Sequence, residues 1–169
     1  LIGISDGTAR LWSTADGQEI RSFNDEQGDV KAVSYSADRS RLLTGNSEGF
    51  VTNWDVSASD TPVRLVGEAT IANAMHFSSD GVQVYFGLND GTVRAWNLDS
   101  GQQRTLNERG GGELFDFVVS DRDETTYVGG SGWSVGVLKG GSTEGVFEAF
   151  RANPVAAVQY FVTSLAYSP

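Results

Sequence analysis

The sequence predicts an all-β fold assembled from four-stranded antiparallel units that repeat along the chain. Three observations predict it. A tryptophan closes a strand-like run in "SDGTARLWSTADGQ" from Ser5, in "SEGFVTNWDVSASD" from Ser47 and in "NDGTVRAWNLDSGQ" from Asn89, so that Trp12, Trp54 and Trp96 recur at a constant spacing of 42 residues. The segments "VKAVSYSAD" from Val30, "ANAMHFSSD" from Ala72 and "LFDFVVSDR" from Leu114 share that spacing. Each period breaks into short runs of β-type residues without the 3.6-residue periodicity of an amphipathic helix. A fixed period of this size marks a repeat architecture.

Within one period four runs follow in order, a to d, and the copy spanning 72–107 spells them as "ANAMHFS", "VQVYFG", "TVRAWNL" and "QQRTLN". Between a and b stand "SADRS", "SSDGV" and "SDRDE", each a polar turn. Between b and c, Asp6-Gly7, Glu48-Gly49 and Asn89-Asp90-Gly91 supply the positive φ of a tight hairpin, and a two-residue turn is expected there. The "TADGQ" and "LDSGQ" segments do the same between c and d. Each period is therefore an antiparallel meander.

Alternation along strand a places Val33, Met75, Phe117 and Leu165 on one face with Tyr35, Phe77, Val119 and Tyr167, and Ala32, Ala74 and Asp116 on the other. In strand c the tryptophans lie opposite Leu11, Asn53 and Ala95. Both faces carry apolar material, which one meander cannot cover. Meanders stacked face to face around an axis cover it, and that arrangement is a β-propeller. The expected blades are 1–23 (partial), 30–66, 72–107 and 114–150, the last a degenerate copy with Leu138 in the tryptophan frame. Residues 157–169 begin another, since "SLAYSP" at 164–169 matches "AVSYSA" at 32–37 after an insertion of about six residues. The chain reads as a segment of a longer polypeptide, because stacked repeats need neighbours or caps.

The "FSSDG" after strand a, the "NDGTVRAWNL" hairpin, the "SDGTARLW" copy and the period itself resemble the WD40-repeat propeller family over essentially all 169 residues. The resemblance implies rings of usually seven blades, of which this chain would supply about half. It also implies a hydrogen-bonded set joining a histidine before strand a, a hydroxyl of strand b, an acid of the b–c turn and the strand c tryptophan. Here the histidine frame holds Glu26, Glu68 and Gly110, and the turn acid is Asp6, Glu48 or Asp90. Only Thr44 supplies the hydroxyl, Ile2 and Phe86 standing in its place elsewhere. No complete set survives, so the blades are expected to hold mainly by packing, in the manner of divergent, bacterial-like repeats.

Twenty-two acidic against twelve basic residues give a net charge of −10. That balance argues against binding a phosphate backbone, which needs clustered Lys and Arg. The absence of cysteine excludes disulfide and thiolate chemistry. No apolar run approaches the about 18 residues of a helical membrane span. A soluble, cytoplasmic setting is favoured.

Residues with chemical potential have structural readings in this frame. His76 stands in strand a, packed or facing the channel, without the nucleophile and orienting acid of a triad. The "DRDE" run at 121–124 lacks the glycine and closing glutamate of an EF-hand loop and occupies the a–b turn. The glycines of "VGGSGWSVG" spell no dinucleotide fingerprint and fall on the b–c hairpin of the fourth copy. No catalytic residue, metal ligand or cofactor is assigned, and the chain is not expected to be an enzyme.

What remains is surface. The resemblance implies that the d–a loops and the b–c turns share one rim, where Asp25, Glu26, Asp29, Glu48, Glu68, Asp90, Glu108 and Glu113 would gather with Arg109 and Arg151. Trp133, at the turn of the degenerate copy, is either a binding anchor or a filler for the space over Leu138. Asp6, Asp90, Trp12, Trp54 and Trp96 are assigned to holding the repeat. The expected function is a non-catalytic protein-interaction and scaffolding module within a larger WD-repeat protein. Its partners would be a protein complementary to the acidic rim, hence basic, and further blades of the same or another chain. The alternative is the propeller portion of an enzyme or signalling protein whose active site lies outside this segment.

Overall fold

A computed structural model describes residues 2–148 apart from 4–5, 25–27, 59–61, 68–69, 107–112, 121–125, 131–133 and 140–141. The expected strand start at 157–169 lies outside the described residues. Every described element is a β-strand. The first sheet holds β1 (Ile2–Gly3), β2 (Thr8–Trp12) and β3 (Glu19–Asn24). The second holds β4 (Val30–Tyr35), β5 (Arg41–Asn46), β6 (Phe50–Asp55) and β7 (Val63–Gly67). In the third stand β8 (Ala72–Phe77), β9 (Gln83–Leu88), β10 (Val93–Asn97) and β11 (Gln103–Thr105). The fourth contains β12 (Leu114–Val119), β13 (Thr126–Gly130), β14 (Ser134–Lys139) and β15 (Ser142–Glu148). All are antiparallel meanders in chain order.

Register repeats with the sequence. Leu42 pairs with Trp54, Val84 with Trp96 and Thr126 with Leu138, so the degenerate copy keeps its pairing although the tryptophan is gone. Each full sheet also carries a β-bulge at one frame position, between Val30 and Ala32, Ala72 and Ala74, and Leu114 and Asp116. The extra residue is Lys31, Asn73 or Phe115. A bulge twists its strand locally, and here it does so at the start of strand a in each of the three full sheets.

The b–c connection differs from the expected two-residue turn. Gly91 N–H donates to Leu88 O at 3.0 Å and Leu88 N–H to Thr92 O at 2.8 Å, which leaves a three-residue loop of Asn89, Asp90 and Gly91. Among the described residues of these loops only the glycines take positive φ, at 83° for Gly7, 86° for Gly49 and 84° for Gly91. An ordinary turn closed by a left-handed glycine satisfies the strand twist as well as a primed turn does, without a second positive φ.

Apolar cores lie between sheets. Ala9 and Phe23 of the first pack with Leu42 and Trp54 of the second. Leu43, Val51 and Leu65 of the second pack with Met75, Val84 and Phe86 of the third. Tyr85, Val93 and Leu106 of the third pack with Leu114 and Phe117 of the fourth. The tryptophan-bearing face thus turns toward the preceding sheet, and the opposite face toward the next. Strand a of one sheet contacts strand a of the next, β4 against β8 and β8 against β12, as sheets arranged around an axis require.

The a–b turns are tied by a buried serine. Ser36 Oγ donates to Asp38 Oδ1 at 2.6 Å and accepts from Arg41 N–H at 2.9 Å, while Asp38 also accepts from Ser40 N–H and Oγ–H. Ser78 and Asp80 repeat the pattern. These bonds hold the exposed Asp38 carboxyl down at about 2, the Ser36 hydroxyl contributing most. Arg39 in this turn takes a φ of 62°, where the next copy has Gly81 at 71°.

Candidate interaction rim

Two backbone bonds bring the d–a loop and the b–c turn together. Ser47 N–H donates to Asp29 O at 2.8 Å, and one period later Asn89 N–H donates to Ile71 O at 2.9 Å. Asp29 N–H returns a bond to Ser47 Oγ at 3.0 Å. The frame positions of Asp29 and Glu48 consequently lie side by side. Gly28, at φ 73°, makes room for this approach, since a Cβ there would stand 2.9 Å from Glu48 Cγ. Asp29 is half-buried and faces Lys31 Nζ at 3.2 Å, whereas Glu48 and Glu113 are exposed. Glu113 shares the frame of Asp29 and Ile71, directly before strand a. Asp25, Glu26, Glu68, Glu108, Arg109, Trp133 and Arg151 lie outside the described residues.

The acids of the b–c turns divide by role. Asp90 Oδ1 accepts from Thr92 N–H at 2.9 Å and Thr92 Oγ at 2.7 Å, and Asp6 Oδ1 likewise takes Thr8 N–H and its hydroxyl. Asp6 also meets Arg10 at 3.2 Å, and its carboxyl titrates below the usual range, the Thr8 hydroxyl being the largest cause. Both carboxylates are engaged in their own turns. In the second sheet Phe50 replaces the threonine, and the buried Asn46 takes over: its Oδ1 accepts from Glu48 N–H at 3.1 Å and Phe50 N–H at 3.0 Å. Glu48 is thereby released from the turn it occupies. Sequence reasoning missed Asn46, whose frame holds Ile4 and Leu88 elsewhere; an asparagine at the last position of an otherwise apolar strand was the available signal.

The tryptophan frame also resolves into parts. Trp54 Nε1 donates to Thr44 Oγ1 at 2.9 Å, both residues buried, which is the one link of the family's set expected from the sequence. Phe23 meets the Trp54 ring edge to face at 5.7 Å. Trp96 is half-buried against the core of the second and third sheets. Trp12 is 39% exposed.

His76 stands at the seam between the third and fourth sheets, with Nε2 3.8 Å from Asp116 Oδ1 and its ring edge to face with Phe117 at 5.0 Å. Its side chain is 46% exposed, so it caps this seam instead of entering the core. Of the glycine run, residues 128–130 lie in β13 and 134–136 in β14, which pair antiparallel. Among the described residues no cluster of three or more His, Cys, Asp or Glu could hold a metal ion. The "DRDE" run lies outside the described residues.

Residues 17–55 match the family model described as "WD domain, G-beta repeat". The chain is 27% identical over 97 residues to apoptotic protease-activating factor 1 of Rattus norvegicus, covering 57% of this chain and 8% of that protein. To a guanine nucleotide-binding protein subunit beta of Zea mays it is 29% identical over 111 residues, 62% of this chain and 29% of the other. It is 30% identical to a serine-threonine kinase receptor-associated protein of Dictyostelium discoideum, covering 63% of this chain and 36% of that protein. The chain therefore spans well under half the length of each of these relatives. Residues 17–55, across β3 to β6, thus match a WD40 repeat, and the four antiparallel sheets on one 42-residue frame have the arrangement of propeller blades.

Proposed function

We propose that this chain is a non-catalytic protein-interaction module whose docking surface is the acidic rim, and that it serves as a scaffold within a larger WD-repeat protein. The observation that carries the proposal is the repeated bond between the d–a loop and the b–c turn, Ser47 to Asp29 and Asn89 to Ile71. At its first occurrence this bond sets Asp29 beside Glu48, and Asn46 Oδ1 accepts the turn's N–H groups so that the Glu48 carboxylate is left out of them. The names of the relatives fit such a role, since one is a subunit and another a receptor-associated protein.

The partner would be a protein with an arginine- or lysine-rich face. Complementary charge of this kind chiefly raises the rate of encounter and fixes orientation. The remaining rim positions, Asp25, Glu26, Glu68, Glu108, Arg109 and Arg151, would extend the same surface, with Trp133 as an aromatic anchor. Further blades, of this or another chain, would complete the ring.

The test is calorimetric titration of the chain with an arginine-rich peptide at low and at physiological salt. The Glu48→Lys, Glu113→Lys double variant should bind more weakly and with a shallower salt dependence than the parent. Equal affinity of parent and variant at both salt concentrations would count against the rim.

A further inference from the structure

The seams between sheets share a frame but not a filling. Between the first and second sheets, Leu11 packs with Phe23, Leu42 and Trp54 in an apolar cluster that Val56 joins. One period on, between the second and third sheets, the same places are held by Asn53, Leu65, Val84, Trp96 and Leu98. An amide has taken the leucine's place, and Leu65 and Val84 are smaller than Phe23 and Leu42. Alternation along β6 sets Asn53 on the face of the buried Val51, toward the third sheet. Its Oδ1 is closed off from solvent and meets no hydrogen-bond donor among the described residues. A buried acceptor without a donor is destabilising, and such an exception calls for a role.

The surroundings say what would satisfy it. Val63, the cross-strand partner of Asn53, is 58% exposed, and Trp96 is half-buried where Trp54 is 7% exposed. The outer end of this seam therefore offers apolar surface to solvent. Arg94 lies on the Trp96 face of β10 with its Nε buried, and a guanidinium there disfavours a cationic occupant and favours the face of an aromatic ring. We propose that the outer end of this seam binds a tryptophan side chain of a partner protein, the indole N–H donating to Asn53 Oδ1 while the ring covers Val63 and Trp96. The indole nitrogen is a donor only, so it satisfies the amide without bringing lone pairs into an apolar place, as a tyrosine hydroxyl would. Tryptophan joins that one polar handle to a large apolar body and is enriched among binding hot spots. The site is separate from the acidic rim, since Asn53 is the fourth residue of β6 and stands away from the b–c turn that carries Glu48.

Titration with N-acetyltryptophanamide and with its counterpart methylated on the indole nitrogen, followed by nuclear magnetic resonance of the chain, tests the contact. The parent should bind the unmethylated compound at least about fivefold more tightly, the weight of one hydrogen bond, with saturable shifts at Asn53 and Trp96. Asn53→Leu, which restores the residue type of Leu11, should bind the two compounds alike. Because it removes an unsatisfied acceptor, its urea midpoint should equal or exceed the parent's. Equal affinities of the parent for the two compounds overturn the site, as does the absence of any saturable shift. A lowered midpoint in Asn53→Leu overturns it as well, since the amide would then already hold a partner within the fold or a bound water.

Discussion

Trp12 and Trp54 occupy one frame position on equivalent strands, yet one is 39% exposed and the other 7%. Two neighbours separate them, one in the sheet before and one in the tryptophan's own sheet. Trp54 meets Phe23 of the preceding sheet and the hydroxyl of Thr44, while the residue in the Thr44 frame of the first sheet is Ile2. An edge-to-face aromatic pair adds about 0.5–1.5 kcal/mol beyond burial, and a buried hydrogen bond about 1 kcal/mol. A repeat's tryptophan is therefore an investment in the seam with the sheet before it, and its worth depends on both neighbours.

The sharpest way to break this comparison is truncation at both sites. Trp54→Ala should cost about 3–5 kcal/mol of stability, the range for emptying a buried aromatic site, and Trp12→Ala less than about 1 kcal/mol, as for surface positions. Urea unfolding followed by circular dichroism measures both, and equal losses would show that the seam is not what matters. Next in size is the contrast between two strand b glycines: Gly87→Ala, whose Cβ would come within 2.8 Å of Phe117 Cδ1, should cost about 1–3 kcal/mol by overpacking, and Gly45→Ala less, because its neighbours begin 3.3 Å away and include the flexible Met75. A reversed order would place the tight fit in the wrong seam.

Smaller still is the effect of Arg39→Gly. A left-handed conformation costs a residue with a Cβ about 1–2 kcal/mol, so the variant should be about 1 kcal/mol more stable, bringing the first a–b turn level with that of Gly81. An unchanged midpoint would mean that Arg39 makes good its strain elsewhere. The smallest effect is electrostatic. Asp38 is held at about 2 against an ordinary 3.8, so its contribution is present above pH 3.8 and fades as pH falls from there toward 2. Asp38→Asn should flatten the stability profile across that window and leave its slope near neutrality untouched; an acid limb identical to the parent's would remove Asp38 from the account.

Much of the fold was legible because spacing alone carries it. Three tryptophans at one interval, two families of turn residues and alternation along strand a suffice to give sheets and their order, and the Trp54–Thr44 bond is the one link of the set that the family resemblance implies. What escaped was local and compensatory. The bulges at Lys31, Asn73 and Phe115 involve residues of unrelated chemistry, so no residue type announces them. Asn73 uses its position to donate to Leu114 O at 2.7 Å across the seam. The exchange of a turn aspartate for Asn46 depends on which side chain reaches a backbone N–H, a matter of ångströms. The rim's acids were visible as composition, but their division into turn-bound Asp6 and Asp90 and exposed Glu48 required the bonds themselves.

The family's repeat spans residues 17–55 and so takes in β3 together with β4 to β6: its first strand closes one sheet and its other three open the next. The unit of the sequence match and the unit of architecture are out of step by a strand. A tandem duplication of one period, wherever its endpoints fall, would rejoin frame to frame and add a whole sheet with both of its seams, with no need for the breakpoint to find a loop. Such an array can lengthen or shorten by unequal recombination while every junction stays familiar to the chain. Each sheet is also stitched to its predecessor by covalent continuity, so that loss of a single repeat leaves no sheet without its outer strand.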